Sequence, residues 1–220
     1  MANFDVETAQ NVEISKKIPC EKPLIEQLEI MERYTEVHKL HLCSSKEKRE
    51  VECLKVLYPV LFRKITDKDL IAGRIDTLPI GFGTVTSLGG VGHYCVFRKL
   101  RDFQANLGDG DKKRVDILYD YWLDHDLKTQ YNKETLEENI LGMFIDCEYP
   151  MIATARLSGM MLDYPKLLDN GIGGLRRILQ DHLEKQPDND FYKAGIECLN
   201  IFVDCATHLQ QDALKQWLRE

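Results

Sequence analysis

Arg156-Leu-Ser-Gly-Met-Met-Leu-Asp-Tyr-Pro-Lys-Leu-Leu-Asp-Asn-Gly-Ile-Gly-Gly174 is the stretch whose reading decides the fold. A turn of small and apolar residues around Arg156 gives way at Asp163-Tyr164-Pro165 to a leucine-bearing segment. Closely spaced glycines then open a longer helix. The apolar spacing predicts helices over 164–170, 173–185 and 189–218. Pro187-Asp188-Asn189 marks the joint before the last one, with Asp188 or Asn189 as its N-cap. That helix is expected to bury a broad stripe of Phe191, Ala194, Ile196, Leu199, Phe202, Val203, Ala206 and Leu209.

Upstream, residues 1–22 read as an irregular arm, and residues 23–220 as one domain-like portion. From Pro23 the residues Leu24, Ile25, Leu28, Ile30, Met31, Tyr34, Val37, His38 and His41 follow helical spacing. Ser44-Ser45 can cap a second helix carrying Val51, Leu54, Leu57, Tyr58 and Leu61, with Pro59 expected to bend it. Asp69 to Ile75 reads as a short strand or extended segment, and residues 76–93, with five glycines and one proline, as a loop or a backbone laid closely against other chain. Val115, Leu118, Tyr119 and Trp122 predict another helix. Thr135-Leu-Glu-Glu138 is a capping box opening a further one. The fold class expected is mainly α with a few short strands.

Composition narrows the function. The net charge is −7 across 220 residues, and the most basic run, Lys46 to Glu50, is interrupted by acids. A nucleic-acid partner is not expected, because phosphate binding needs clustered Lys and Arg. No apolar run approaches the ~18–20 residues that span a bilayer, and the polar N-terminus is unlike a secretory signal, so no membrane role and a cytoplasmic setting are expected. The seven cysteines include no Cys-x-x-Cys pair, which argues for reduced, mostly buried thiols rather than disulfides or zinc.

Several constellations invite chemistry. His38 and His41 share a helix face but lack a third metal ligand, and partly exposed helix histidines are the simpler reading. His93-Tyr94-Cys95 has no orienting group nearby for a thiol nucleophile. Asp124, His125 and Asp126 diverge on a helix. Gly89, Gly90 and Gly92 fit neither a dinucleotide fingerprint nor a phosphate loop. Arg156 is different. Set among apolar and small residues, it requires a partner if buried: Glu148, Asp146 or Asp163, or an anionic ligand matched to its planar fork. Both a structural salt bridge and a ligand-facing role remain open from the residues alone.

The order of these features resembles the N-terminal region of the glycyl radical enzymes of the pyruvate formate-lyase, glycerol dehydratase and choline lyase type. Glu32-Arg33 on the first helix matches, as does Asp69-Leu-Ile-Ala-Gly73. So do Gly159, Asp163-Tyr164, Leu167-Leu168, Gly171 and Gly174, and then Phe191-Tyr192-Lys193-Ala194. The resemblance implies the N-terminal helical portion of a glycyl-radical-enzyme-like α/β barrel. It also implies that Glu148, Arg156 and Met160 face substrate. Met160 stands where the family has histidine, which removes a donor and base and disfavours a glycerol-like diol. Arg156 favours a carboxylate-bearing or otherwise anionic substrate.

The family's radical glycine motif and thiyl cysteine loop do not occur in this sequence, so no catalytic residue is assigned, and none of the seven cysteines inherits the thiyl role. The expectation is a fragment or split component of a glycyl radical lyase or dehydratase, inactive alone and without a cofactor of its own. The parent enzyme would carry a glycyl radical installed by an activating enzyme that uses S-adenosylmethionine and an iron–sulfur cluster. Expected partners are the remainder of the parent enzyme, the activating enzyme and a second copy in a homodimer. The alternative is a free-standing helical module binding a complementary subunit. An unrelated small enzyme built on His93 or Cys95 is a third reading.

Overall fold

The computed structural model of the chain describes residues 23–62, 65–66, 104–125 and 163–218. Helix makes up 84% of that part, and no strand occurs among the described residues. The elements are α1 (Leu24–Leu40), α2 (Lys46–Leu61), α3 (Asp109–His125), α4 (Tyr164–Lys185) and α5 (Asp190–Trp217). The mainly helical expectation holds. The proposed strand at 69–75 and the capping-box helix from Thr135 lie outside the described residues.

The chain divides into two compact units. In one, α1 as far as Thr35 belongs with α3. Leu28, Met31, Tyr34 and Thr35 recur at intervals of three, three and one, and all four are fully buried. Val115, Leu118 and Trp122 do the same on α3, giving each helix one apolar side. The Tyr34 and Trp122 rings meet at a centroid distance of 5.8 Å. Trp122 Nε1 donates to Thr35 Oγ1 at 2.9 Å, and that hydroxyl donates to the Met31 carbonyl at 2.7 Å. The one polar atom of the largest buried side chain is thereby satisfied, as its burial requires. Asp109 and Asp111 sit in the first turn of α3, where the helix dipole favours acids. Gln104 Nε2 reaches back to the Lys112 carbonyl and to Asp116.

The second unit includes residues 36–62 and 165–218. Ser45 caps α2, its hydroxyl accepting from Lys48 N at 3.4 Å. Val51, Cys53, Leu57 and Leu61 are buried. α2 runs through Pro59 for two further residues. It packs against α5. Asn189, one of the two expected caps, accepts from Phe191 N and Tyr192 N at 3.0 and 3.4 Å.

Two expectations meet particular outcomes here. The break foreseen between 164–170 and 173–185 is present inside α4, where Gly171 has φ 60° and ψ 179°. Only glycine adopts this combination readily. The apolar stripe of α5 is corrected: Phe191, Phe202 and Val203 are 62%, 48% and 44% exposed. The side of α5 turned to α2 carries Ala194, Glu197, Cys198 and Cys205 instead. Hydrophobic period located a helix face, but small and charged residues are what α2 accepts.

Candidate functional site

Glu148, Arg156 and Met160, the substrate-facing candidates, lie outside the described residues, as do His93, Cys95 and the Asp69–Gly73 turn. Gly159 lies outside them too, whereas Glu32-Arg33, Asp163-Tyr164, Leu167-Leu168, Gly171, Gly174 and Phe191–Ala194 are placed.

Glu32, from the Glu-Arg pair of α1, is gripped by Arg114 of α3. Arg114 Nε and Nη2 donate to the two Glu32 carboxylate oxygens at 2.8 and 2.6 Å. Its Nη1 donates to Asp111 at 2.7 Å. This fork-to-carboxylate geometry is specific to arginine. Hydrogen bonds to Glu32 and then Asp111 hold the guanidinium further into its charged form. Arg33 beside it is exposed. The sequence shows the three-residue spacing of Asp111 and Arg114, but nothing in it announces a pairing across 82 residues.

Tyr192 of the Phe-Tyr-Lys-Ala segment stacks on His182 at 5.3 Å, and Leu179 lies against Gly195 so closely that a Cβ there would sit 3.0 Å from Leu179 Cδ1. These contacts join α4 to the start of α5. Gly174 has no room for a side chain, because Asn170 Cβ is 2.8 Å from the position its own Cβ would take.

Between α2 and α5 lies an open cleft lined by Lys48, Val51, Glu52, Asp190, Lys193, Ala194 and Glu197. Its charges alternate in sign and answer one another. Lys55 bridges Glu197 at 2.6 Å and Glu52 at 2.9 Å, and hydrogen bonds to Glu197 and Glu52 raise its pKa against modest desolvation. Ser45 hydrogen-bonds Asp190 and lowers its carboxyl pKa, with Lys193 adding to the effect. Such an arrangement sets the register of two helices rather than capturing a ligand.

The histidine expectation is corrected in part: His38 is buried rather than partly exposed, while His41 is half-buried with its Nδ1 3.4 Å from Ser44 Oγ. No group of three potential metal ligands occurs among the described residues. His125 stacks on Tyr121 at 4.2 Å, and its Nδ1 donates to the Tyr121 carbonyl at 2.8 Å, closing the last turn of α3. Cys43, Cys198 and Cys205 are free thiols. Cys53 and Cys205 are buried as expected, whereas Cys43 is exposed. Burial pushes the Cys198, Cys205 and Tyr58 pKa values up, which makes these thiols poor nucleophiles.

The profile of the family described as "PFL-like: Pyruvate formate lyase-like" matches residues 3–218. The chain belongs to that family. Membership in the pyruvate formate lyase-like family relates it to the glycyl radical enzymes. No solved structure matches the chain. No helix among the described residues is long and apolar enough to cross a membrane.

Proposed function

We propose that this chain is the N-terminal, substrate-facing part of a glycyl radical lyase or dehydratase acting on a small anionic substrate, and that it is not catalytic by itself. The observation that carries the reading is the family match over residues 3–218, set beside a sequence in which no Arg-Val-x-Gly-Tyr-like radical motif occurs. Arg156 binds the substrate anion, and Glu148 and Met160 complete that side of the cavity. The radical glycine and the thiyl cysteine come from polypeptide beyond these 220 residues, and an S-adenosylmethionine-dependent activating enzyme installs the radical.

The chain's own part in this chemistry is to orient and enclose. An arginine held in an apolar wall presents two parallel donors to a carboxylate. A methionine in place of histidine offers no proton to a substrate hydroxyl. The test is Arg156→Ala in the complete, activated enzyme, with pyruvate, glycerol and choline as probes. Apparent affinity for the anionic probe should fall tenfold or more while the glycyl radical signal forms undiminished. Unchanged affinity would remove Arg156 from the site.

A second reading is favoured by one feature, the exposed apolar residues of α5. A free-standing helical module would use such a face to bind a complementary subunit, and it would function without any radical in the assembly.

A further inference from the structure

α4 is written as one amphipathic helix but is not built as one. Leu168, Leu175 and Leu179 are separated by seven and four residues, so in an unbroken helix they fall on one side. Leu175 and Leu179 are partly covered, and Leu179 packs against Gly195 of α5. Leu168 is 81% exposed. The kink at Gly171 separates it from the line its sequence register assigns.

The kink has its own supports. The Gly171 conformation is closed to residues with a side chain. Asn170 Nδ2 donates to the Lys166 carbonyl at 2.8 Å, occupying a carbonyl where the first helical segment stops. Asn170 Cβ stands where a side chain on residue 174 would go. Set against these are three glycines in four positions, 171, 173 and 174, two of them with nothing within 4 Å of a built Cβ. Backbone freedom is high here, and there is open space to turn in.

α5 carries the counterpart. α4 and α5 meet at their shared turn through His182 with Tyr192 and Leu179 with Gly195. If α4 ran antiparallel along α5, that pairing would set Ile172 opposite Phe202 and Leu168 opposite Ala206. Phe202, Val203 and Ala206 are all exposed.

We propose that Gly171 is the hinge of a lid. The segment 165–170 moves between the kinked, open arrangement and a continuous α4 that lies along α5 with Leu168 over Phe202 and Ala206. The occupant of the exposed α5 strip is thus a segment of the same chain. The inference stands apart from the radical chemistry, because it concerns one hairpin of one unit.

The experiment is a pulsed-EPR distance measurement on the full chain. Spin labels go on a keto-bearing unnatural amino acid at the exposed positions Lys166 and Gln180, avoiding the native thiols. A continuous helix separates these backbones by about 21 Å, and the kinked form holds them closer. Wild type should give two populations. Gly171→Ala and Gly174→Ala each disfavour the kink and should leave the long distance alone, with amide exchange over 199–209 slowed at least tenfold. Leu168→Asp should remove the long population with helix content unchanged. A single population in wild type overturns the proposal. So does a folded Gly171→Ala protein that keeps the short distance, or one that straightens without protecting α5.

Discussion

Thr35 occupies little volume, yet its hydroxyl links two helices, accepting from Trp122 and donating to the Met31 carbonyl. Thr35→Val keeps the shape and strands a buried indole N–H, a loss of about 1–3 kcal/mol. Trp122→Phe on top of Thr35→Val should cost less than the two single changes added, because no unpaired donor then remains. Urea midpoints at constant m value measure both. Arg114 makes its three contacts with its side chain about a third exposed, so Arg114→Ala should cost only about 1 kcal/mol. Arg114→Lys should not restore the loss, since an ammonium cannot serve both Glu32 oxygens and Asp111 in one plane. Asp190 supplies a pH signature. Ser45 holds its carboxyl below its ordinary value of 3.8, so its contribution is complete above 3.8 and disappears as pH falls through the lower folded value. Acid titrations of stability should therefore be shallower in that window for Asp190→Asn than for wild type. An unchanged slope would mean the Ser45 contact contributes nothing.

At the scale of elements, caps and periodicity were readable and pairing was not. Ser45 and Asn189 stand where helix-start chemistry requires an oxygen, and both accept backbone N–H groups. Asn189→Ala should cost about 1 kcal/mol, seen as a lower thermal midpoint with α5 fraying from its start by amide exchange. Val115, Leu118 and Trp122 announced the buried side of α3, and all three are buried. The same rule misread α5. Its neighbour α2 presents Lys48, Glu52 and Lys55, so the contact is made by Glu197 and small residues, and the bulkier Phe202 and Val203 face away. Periodicity reports which side of a helix is apolar, and burial depends on what lies opposite. Gly171 was legible as a break because glycine spacing interrupts the leucine pattern. Its positive φ became visible only in three dimensions.

For the whole molecule, family membership rests on the match to residues 3–218. The proposal that the chain is part of a radical enzyme reaches beyond those residues, to Arg156 and to polypeptide that carries the glycine. The exposed apolar residues away from the Phe202 strip, Ile117, Leu214 and Trp217, are consistent with a surface that other chain covers. The most direct measurement is anaerobic purification of the native protein from its source cells, with immunoblotting and peptide mass spectrometry, followed by EPR after treatment with activating enzyme and S-adenosylmethionine. The account predicts that this sequence occurs in a polypeptide several-fold heavier than 25.5 kDa, or in stoichiometric complex with one, and that the assembly develops a glycyl radical signal. A free species ending near Glu220, with no such partner and no radical, would contradict it.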